Sequence, residues 1–171
     1  MNNQEIIKNL RSEKSNVILD TLQYISKEGN KDILDEVIKL LLTTSDTIIR
    51  DQIIKILENL RNQDCTPIVA NAISNPENEE ILAILVSSAW KSSLNFEDYV
   101  EIFTDTFIKS EFQPAFDALT VIDSFENLDL QKAEICIVKL NNAVEESKDD
   151  KQALFHELIS IIKDKNKNPA K

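Results

Sequence analysis

Two stretches of the chain, Ser88-Ala89-Trp90-Lys91 and Ser160-Ile161-Ile162-Lys163, share the Ser-x-x-Lys spacing. On a helix this spacing sets an amine within reach of a serine hydroxyl that it could activate. The companion motifs of such a pair contain glycine, and the chain has one glycine, Gly29. Two chance matches in a helical chain with both residue types are unremarkable, and no catalytic role is assigned to either. His156 is the only histidine, so neither a Ser-His-Asp triad nor a histidine-based metal site can be assembled. Beside Phe155 and Glu157 it reads as a surface residue. The carboxylate pairs Glu79/Glu80, Glu145/Glu146 and Asp149/Asp150 are sequence neighbours, and neighbours on a helix point about 100° apart. They therefore suit helix ends better than acid–base chemistry. Trp90, Phe112, Phe116 and Phe125 could form an aromatic binding cluster, but packing in the core is the expectation. No enzyme, cofactor or metal is expected.

Composition narrows the partners. Nineteen basic residues against thirty acidic ones leave a net charge of −11 in 171 residues. A field of that sign repels nucleic acid and anionic lipid and favours a basic partner. A single glycine also argues against phosphate-cradling loops, which need close backbone approach. Cys65 and Cys136 are expected as free buried thiols two repeats apart. Residues 1–10 show no apolar run of the signal-peptide kind, and no stretch reaches the length of a membrane span. A cytoplasmic monomer is the expectation.

The elements that must carry any binding surface repeat. Leu22/Ile25/Ile33/Val37, Leu57/Leu60/Ile68/Ala72 and Ile122/Phe125/Ala133/Ile137 occupy equivalent places in a helix–turn–helix pattern. Leu85/Ala89/Tyr99/Phe103 form a looser copy, and the first two units lie 35 residues apart, from Leu22 to Leu57. Such self-similarity is the signature of stacked helical hairpins. The periodicity predicts a short capping helix over 4–11 and hairpins 15–27/31–43, 47–60/66–73, 77–92/96–109 and 111–125/130–144. A last helix follows over 151–163. Caps are expected at Gly29 and Asn30, Thr66-Pro67, Asn75-Pro76, Asn95, Ser110 with Gln113, and Ser147 with Asp150. The repeat domain is expected to span 1–163, with a polar, disordered tail over 164–171. On the helix over 130–144, Ile135 and Val138 stand off the core stripe; either the last helix covers them, which its wide apolar face favours, or they form an exposed patch that binds a partner.

The pattern resembles HEAT-type or armadillo-type repeats. Ile49-Arg50 followed by Ile53 and Leu57 is similar to the first helix of such a repeat, and Asp64, Pro67 and Ile68 match its turn and second-helix start. The resemblance covers about residues 15–145. It implies an all-α, right-handed superhelix of about four hairpins with capping helices, whose second helices line a concave face. On that face the resemblance places Asp32, Asp35, Glu36, Lys39, Asn71, Asp98, Glu101, Asp105 and Glu134. The implied function is that of a non-enzymatic scaffold or adaptor whose acidic groove receives a basic or amphipathic segment of another protein. The alternatives are a HEAT-like enzyme or lyase subunit and a self-associating structural protein.

Overall fold

A computed structural model of the chain describes residues 1–28, 31–145 and 149–166. Every regular element among them is helical: α1 (Asn3–Leu10), α2 (Ser15–Glu28), α3 (Leu34–Thr43), α4 (Thr47–Glu58), α5 (Thr66–Ser74), α6 (Leu82–Lys91), α7 (Val100–Lys109), α8 (Phe112–Asp123), α9 (Leu130–Val144) and α10 (Asp149–Asn166). The all-α expectation holds. The expected caps at Gly29, Asn30 and Ser147 lie outside the described residues. Where the tail was expected to begin, α10 continues to Asn166.

The helices start by a recurring device. Asn62, Asn75 and Asn95 each accept a hydrogen bond from the backbone N–H two residues on, at 3.1, 3.0 and 2.9 Å. This side-chain turn opens a short 3-10 segment that leads into α5, α6 and α7 respectively. Thr66, expected as a cap, is instead the first residue of α5, and the Asn62 side chain does the work one turn earlier. Asp46 caps α4 by accepting from the N–H of Ile48 and of Ile49, at 2.9 and 3.3 Å. The expected Ser110–Gln113 capping box does not form: Glu111 precedes α8 without a side-chain cap, and Gln113 Nε2 donates to Asp117 Oδ1 at 3.0 Å.

The chain divides into two compact units, Met1–Leu94 and Asn95–Lys171. The expected pairing of helices is shifted by one: consecutive helices pack as α1 with α2, α3 with α4, α5 with α6, α7 with α8 and α9 with α10, and the third expected hairpin is divided between the units, α6 in the first and α7 in the second. In the first unit α4 packs against both α2 and α6, while α3 packs against α1 and α5. The two layers bury Leu22, Val37, Leu41, Ile53, Leu57 and Leu85 between them. In the second unit α7 lies against α8 and α9, and α10 against the same two helices. Its core is richer in aromatics, with edge-to-face pairs Phe96–Phe103 and Phe107–Phe155 at 5.2 and 4.9 Å between ring centres.

Polar ties join positions about one hairpin apart within each unit. Lys31 bonds Asp64 and Lys91 bonds Glu58, both pairs 33 residues apart, at 2.7 and 2.8 Å. Lys132 bonds Asp98 and Lys139 bonds Asp105, both 34 apart, at 2.7 and 3.0 Å. Turns are tied likewise: the Ser93 N–H donates to the Leu60 carbonyl at 3.0 Å. Arg50, the arginine of the repeat-like segment, donates Nη1 to the carbonyls of Leu41 and Thr44 at 2.8 and 3.3 Å. It thus caps the C-terminus of α3, where a cation also suits the helix dipole.

The aromatic residues depart from expectation. Phe125 is buried, but Trp90, Phe112 and Phe116 are exposed, with Phe112 54% accessible. Phe112 and Phe116, one turn apart, stack on each other at 6.3 Å on the outer side of α8. Glycine scarcity and periodicity find the helices, yet an aromatic ring on an outer face has the same one-turn spacing as one on the inner face.

The Ser88 hydroxyl is buried without a hydrogen-bond partner, in a setting that includes Leu57, Val69, Leu85 and Ala89. An unpaired buried hydroxyl costs on the order of 1 kcal/mol or more. Ser88→Ala is expected to raise stability by about 1 kcal/mol, read as a higher urea midpoint with unchanged slope. An unchanged or lower midpoint would refute the burial argument.

Candidate functional site

The serine–lysine pairs do not assemble. Ser88 points into the interior, while Lys91 Nζ turns outward to Glu58 and lies 5.9 Å from the centre of the Trp90 ring. Ser160, Lys163 and His156 are exposed on α10. Both cysteines are buried and free, Cys65 in the first unit and Cys136 in the second. Burial pushes both thiols above their ordinary range, and the Thr104 hydroxyl only partly offsets this at Cys136. A thiol held protonated is a poor nucleophile. Among the described residues no group of three or more metal-ligating side chains converges.

The nine residues expected on the partner-binding face fall into two sets. Asp32, Asp35, Glu36, Lys39 and Asn71 belong to the first unit, and Asp98, Glu101, Asp105 and Glu134 to the second. In the first, Glu36 is the hub. Its Oε2 accepts from Arg11 Nη2 at 2.7 Å and its Oε1 from Lys39 Nζ at 2.9 Å. Asp32 accepts from Asn3 Nδ2 at 3.4 Å, while Asp35 and Asn71 are exposed.

The hydrogen bonds from Lys39 and Arg11 hold the Glu36 carboxyl below the usual carboxylate range, against a smaller opposing effect of burial. A depressed folded-state value stabilises the fold above the unfolded carboxyl's range, and that stability is lost as pH falls through the folded value. Glu36→Gln is therefore expected to be less stable than wild type at neutral pH, with the gap closing as the solution is acidified. Urea titrations across the acid range check this. A gap that stays constant with pH would show that the carboxylate charge contributes nothing.

In the second unit the acids are held by α9. Lys132 reaches both Oδ1 and the carbonyl of Asp98, at 2.7 and 3.1 Å. Lys139 Nζ sits between Glu101 and Asp105, at 3.2 and 3.0 Å. Partial burial pulls the Lys139 ammonium down, but the hydrogen bonds and charges of Asp105 and Glu101 together outweigh it and hold the amine above its ordinary range. These lysines were missing from the expected site, although a signal existed. Asp98 and Asp105 are seven residues apart, as are Lys132 and Lys139, and the two sets lie 34 residues apart, so each acid meets its lysine.

Glu134 stays exposed on α9, and beside the lysine row runs an apolar stripe. Ile135 and Val138 are 38% and 59% accessible, one turn apart, flanked along the same face by exposed Gln131 and Asn142. The expectation that the C-terminal helix covers them is corrected. Phe155, Leu158, Ile159 and Ile162 of α10 are buried, so α10 spends its apolar face on the core and leaves that stripe open.

No known family model matches the chain, and no curated protein is significantly similar to it. Among the described residues no helix is long and apolar enough to cross a membrane.

Proposed function

We propose that the chain is a non-enzymatic binding scaffold of the α-solenoid, HEAT-like kind, and that the α7/α9 face of its second unit receives a basic amphipathic helix of another protein. The solenoid reading is supported by ties in both units between positions 33 or 34 residues apart, the length of one stacking hairpin.

The observation that carries the binding reading is the open stripe of Ile135 and Val138 beside acidic groups. An amphipathic helix lays apolar side chains one turn apart into such a surface. Glu134 on the same helix, with Glu101 and Asp105 across the lysine row, favours positive charge at the helix's flanks. The chain's net charge of −11 steers the same partner. Lys139 matters here because Glu101 and Asp105 already share its charge, so reversing either acid would disturb the fold before it tested binding. Glu134 and the apolar stripe are the sites to vary.

The test is capture of partners from native lysate by wild type, by Glu134→Lys and by Ile135→Ser/Val138→Ser, followed by binding of the identified segment as a synthetic peptide. The expected result is a basic helical segment whose affinity falls about tenfold in either variant and weakens as salt is raised. Full retention by both variants would sink the reading. Light scattering that shows wild type, but not the stripe variant, as a dimer would replace it with self-association.

A further inference from the structure

The first unit contains a cleft of about 330 Å³ whose chemistry is opposite to that of the chain as a whole. Its floor is aliphatic, built from Ile25 of α2, Leu34 and Val37 of α3, and Ile56 of α4, with Leu60 beyond the end of α4. Among the described residues its charged lining is Lys27, Lys31 and Arg61, with no acidic side chain. Lys31 shares its charge with Asp64 at 2.7 Å. Among the described residues Lys27 and Arg61 have no ion-pair partner. In a protein with thirty acids and nineteen bases, three cations and no acid among the described lining residues are a local reversal of sign.

We propose that this cleft binds a short, unbranched aliphatic carboxylate, with the chain on the Ile25–Leu34–Ile56 floor and the carboxylate between Lys27 and Arg61. Three features select that chemistry. The described lining holds no aromatic ring, so a flat base or an aromatic acid has nothing there to stack on. The volume lies at the small end for ligand sites and accommodates roughly ten groups the size of a water molecule or a methylene. The two cations without ion-pair partners stand at the rim on exposed side chains, where a guanidinium and an ammonium meet a carboxylate without burying charge. Asn59 and Asn62 also line the cleft, but Asn59 Nδ2 already donates to the Lys55 carbonyl and Asn62 Oδ1 accepts from the Asp64 N–H.

Cys65 supplies an internal reporter, since it lines the cleft and is buried and free. The experiment titrates the isotope-labelled full chain with octanoate, octanol and octylammonium, following backbone amide shifts, and measures alkylation of Cys65 in parallel. Octanoate is expected to shift the amides of Leu34, Ile56, Leu60 and Cys65 along one saturable curve and to slow Cys65 alkylation. Octanol and octylammonium are expected to bind about tenfold more weakly or not at all. Lys27→Gln/Arg61→Gln, with both changes at exposed positions, is expected to cut octanoate affinity about tenfold while retaining the wild-type spectrum elsewhere. Equal affinity for octanoate and octanol would overturn the proposal, as would unaltered octanoate affinity in the double variant. Unsaturable shifts, or shifts confined to residues beyond 94, would do the same.

Discussion

Phe155→Ala is expected to destabilise the second unit by about 3–5 kcal/mol. The ring is 1% exposed and meets Phe107 edge-to-face, with centres 4.9 Å apart and planes at 78°. Truncation removes the transfer energy of a whole aromatic side chain, leaves a cavity that the fully buried Phe107 and Leu158 cannot readily fill, and loses the ring–ring term. A loss of that size is a large share of the stability of any domain. Hydrogen exchange read by peptide is the suitable measurement, because Trp90, the sole tryptophan, lies in the first unit and its fluorescence reports there. Protection should fall across 100–166. Unchanged protection in that region would mean that α10 does not complete the core of its unit.

Lys151→Met is the second large effect, about 2 kcal/mol against the same unit. Lys151 Nζ donates to three carbonyls at the end of α7: those of Phe107, of Ile108 at 3.2 Å and of Ser110 at 2.9 Å. Those oxygens belong to the last turn of the helix, where carbonyls lack intrahelical partners and the dipole favours a cation. The same amine lies 5.0 and 5.8 Å from the centres of the Phe107 and Phe155 rings. Methionine keeps most of the stem and removes the donors, so the difference isolates the ammonium. Thermal unfolding followed by circular dichroism should show a lowered midpoint, and the loss should be smaller when Phe155→Ala is already present, since both act through α10. Additive losses would separate the amine from the aromatic pair.

Much of the fold was legible because helix-period apolar residues and Asn or Asp starts agree along most of the chain. The helix over 130–144 emerges with the bounds expected of it, and Asn75 and Asn95 open their turns as expected. The 3-10 segments that precede α3, α5, α6 and α7 were not legible, since a tight turn with three residues per repeat uses the same residue types as the first turn of an α-helix. The site was legible only as a set of acids. Which of them remain available depends on lysines one hairpin away, and single-helix periodicity does not carry that pairing. The cleft of the first unit was not foreseen at all. It joins α2, α3 and α4, so its lining is scattered over 41 positions from Ile25 to Cys65.

The spacing of the polar ties has a kinetic consequence. The bonds from the Glu126 N–H to the Glu97 carboxylate and from the Lys151 amine to the Phe107 carbonyl close segments of 29 and 44 residues. A chain whose partners lie so near in sequence has low contact order, and such chains fold quickly because little loop entropy is surrendered before contacts form. During synthesis each such tie can therefore close once the residues it spans have left the ribosome, without waiting for those that follow.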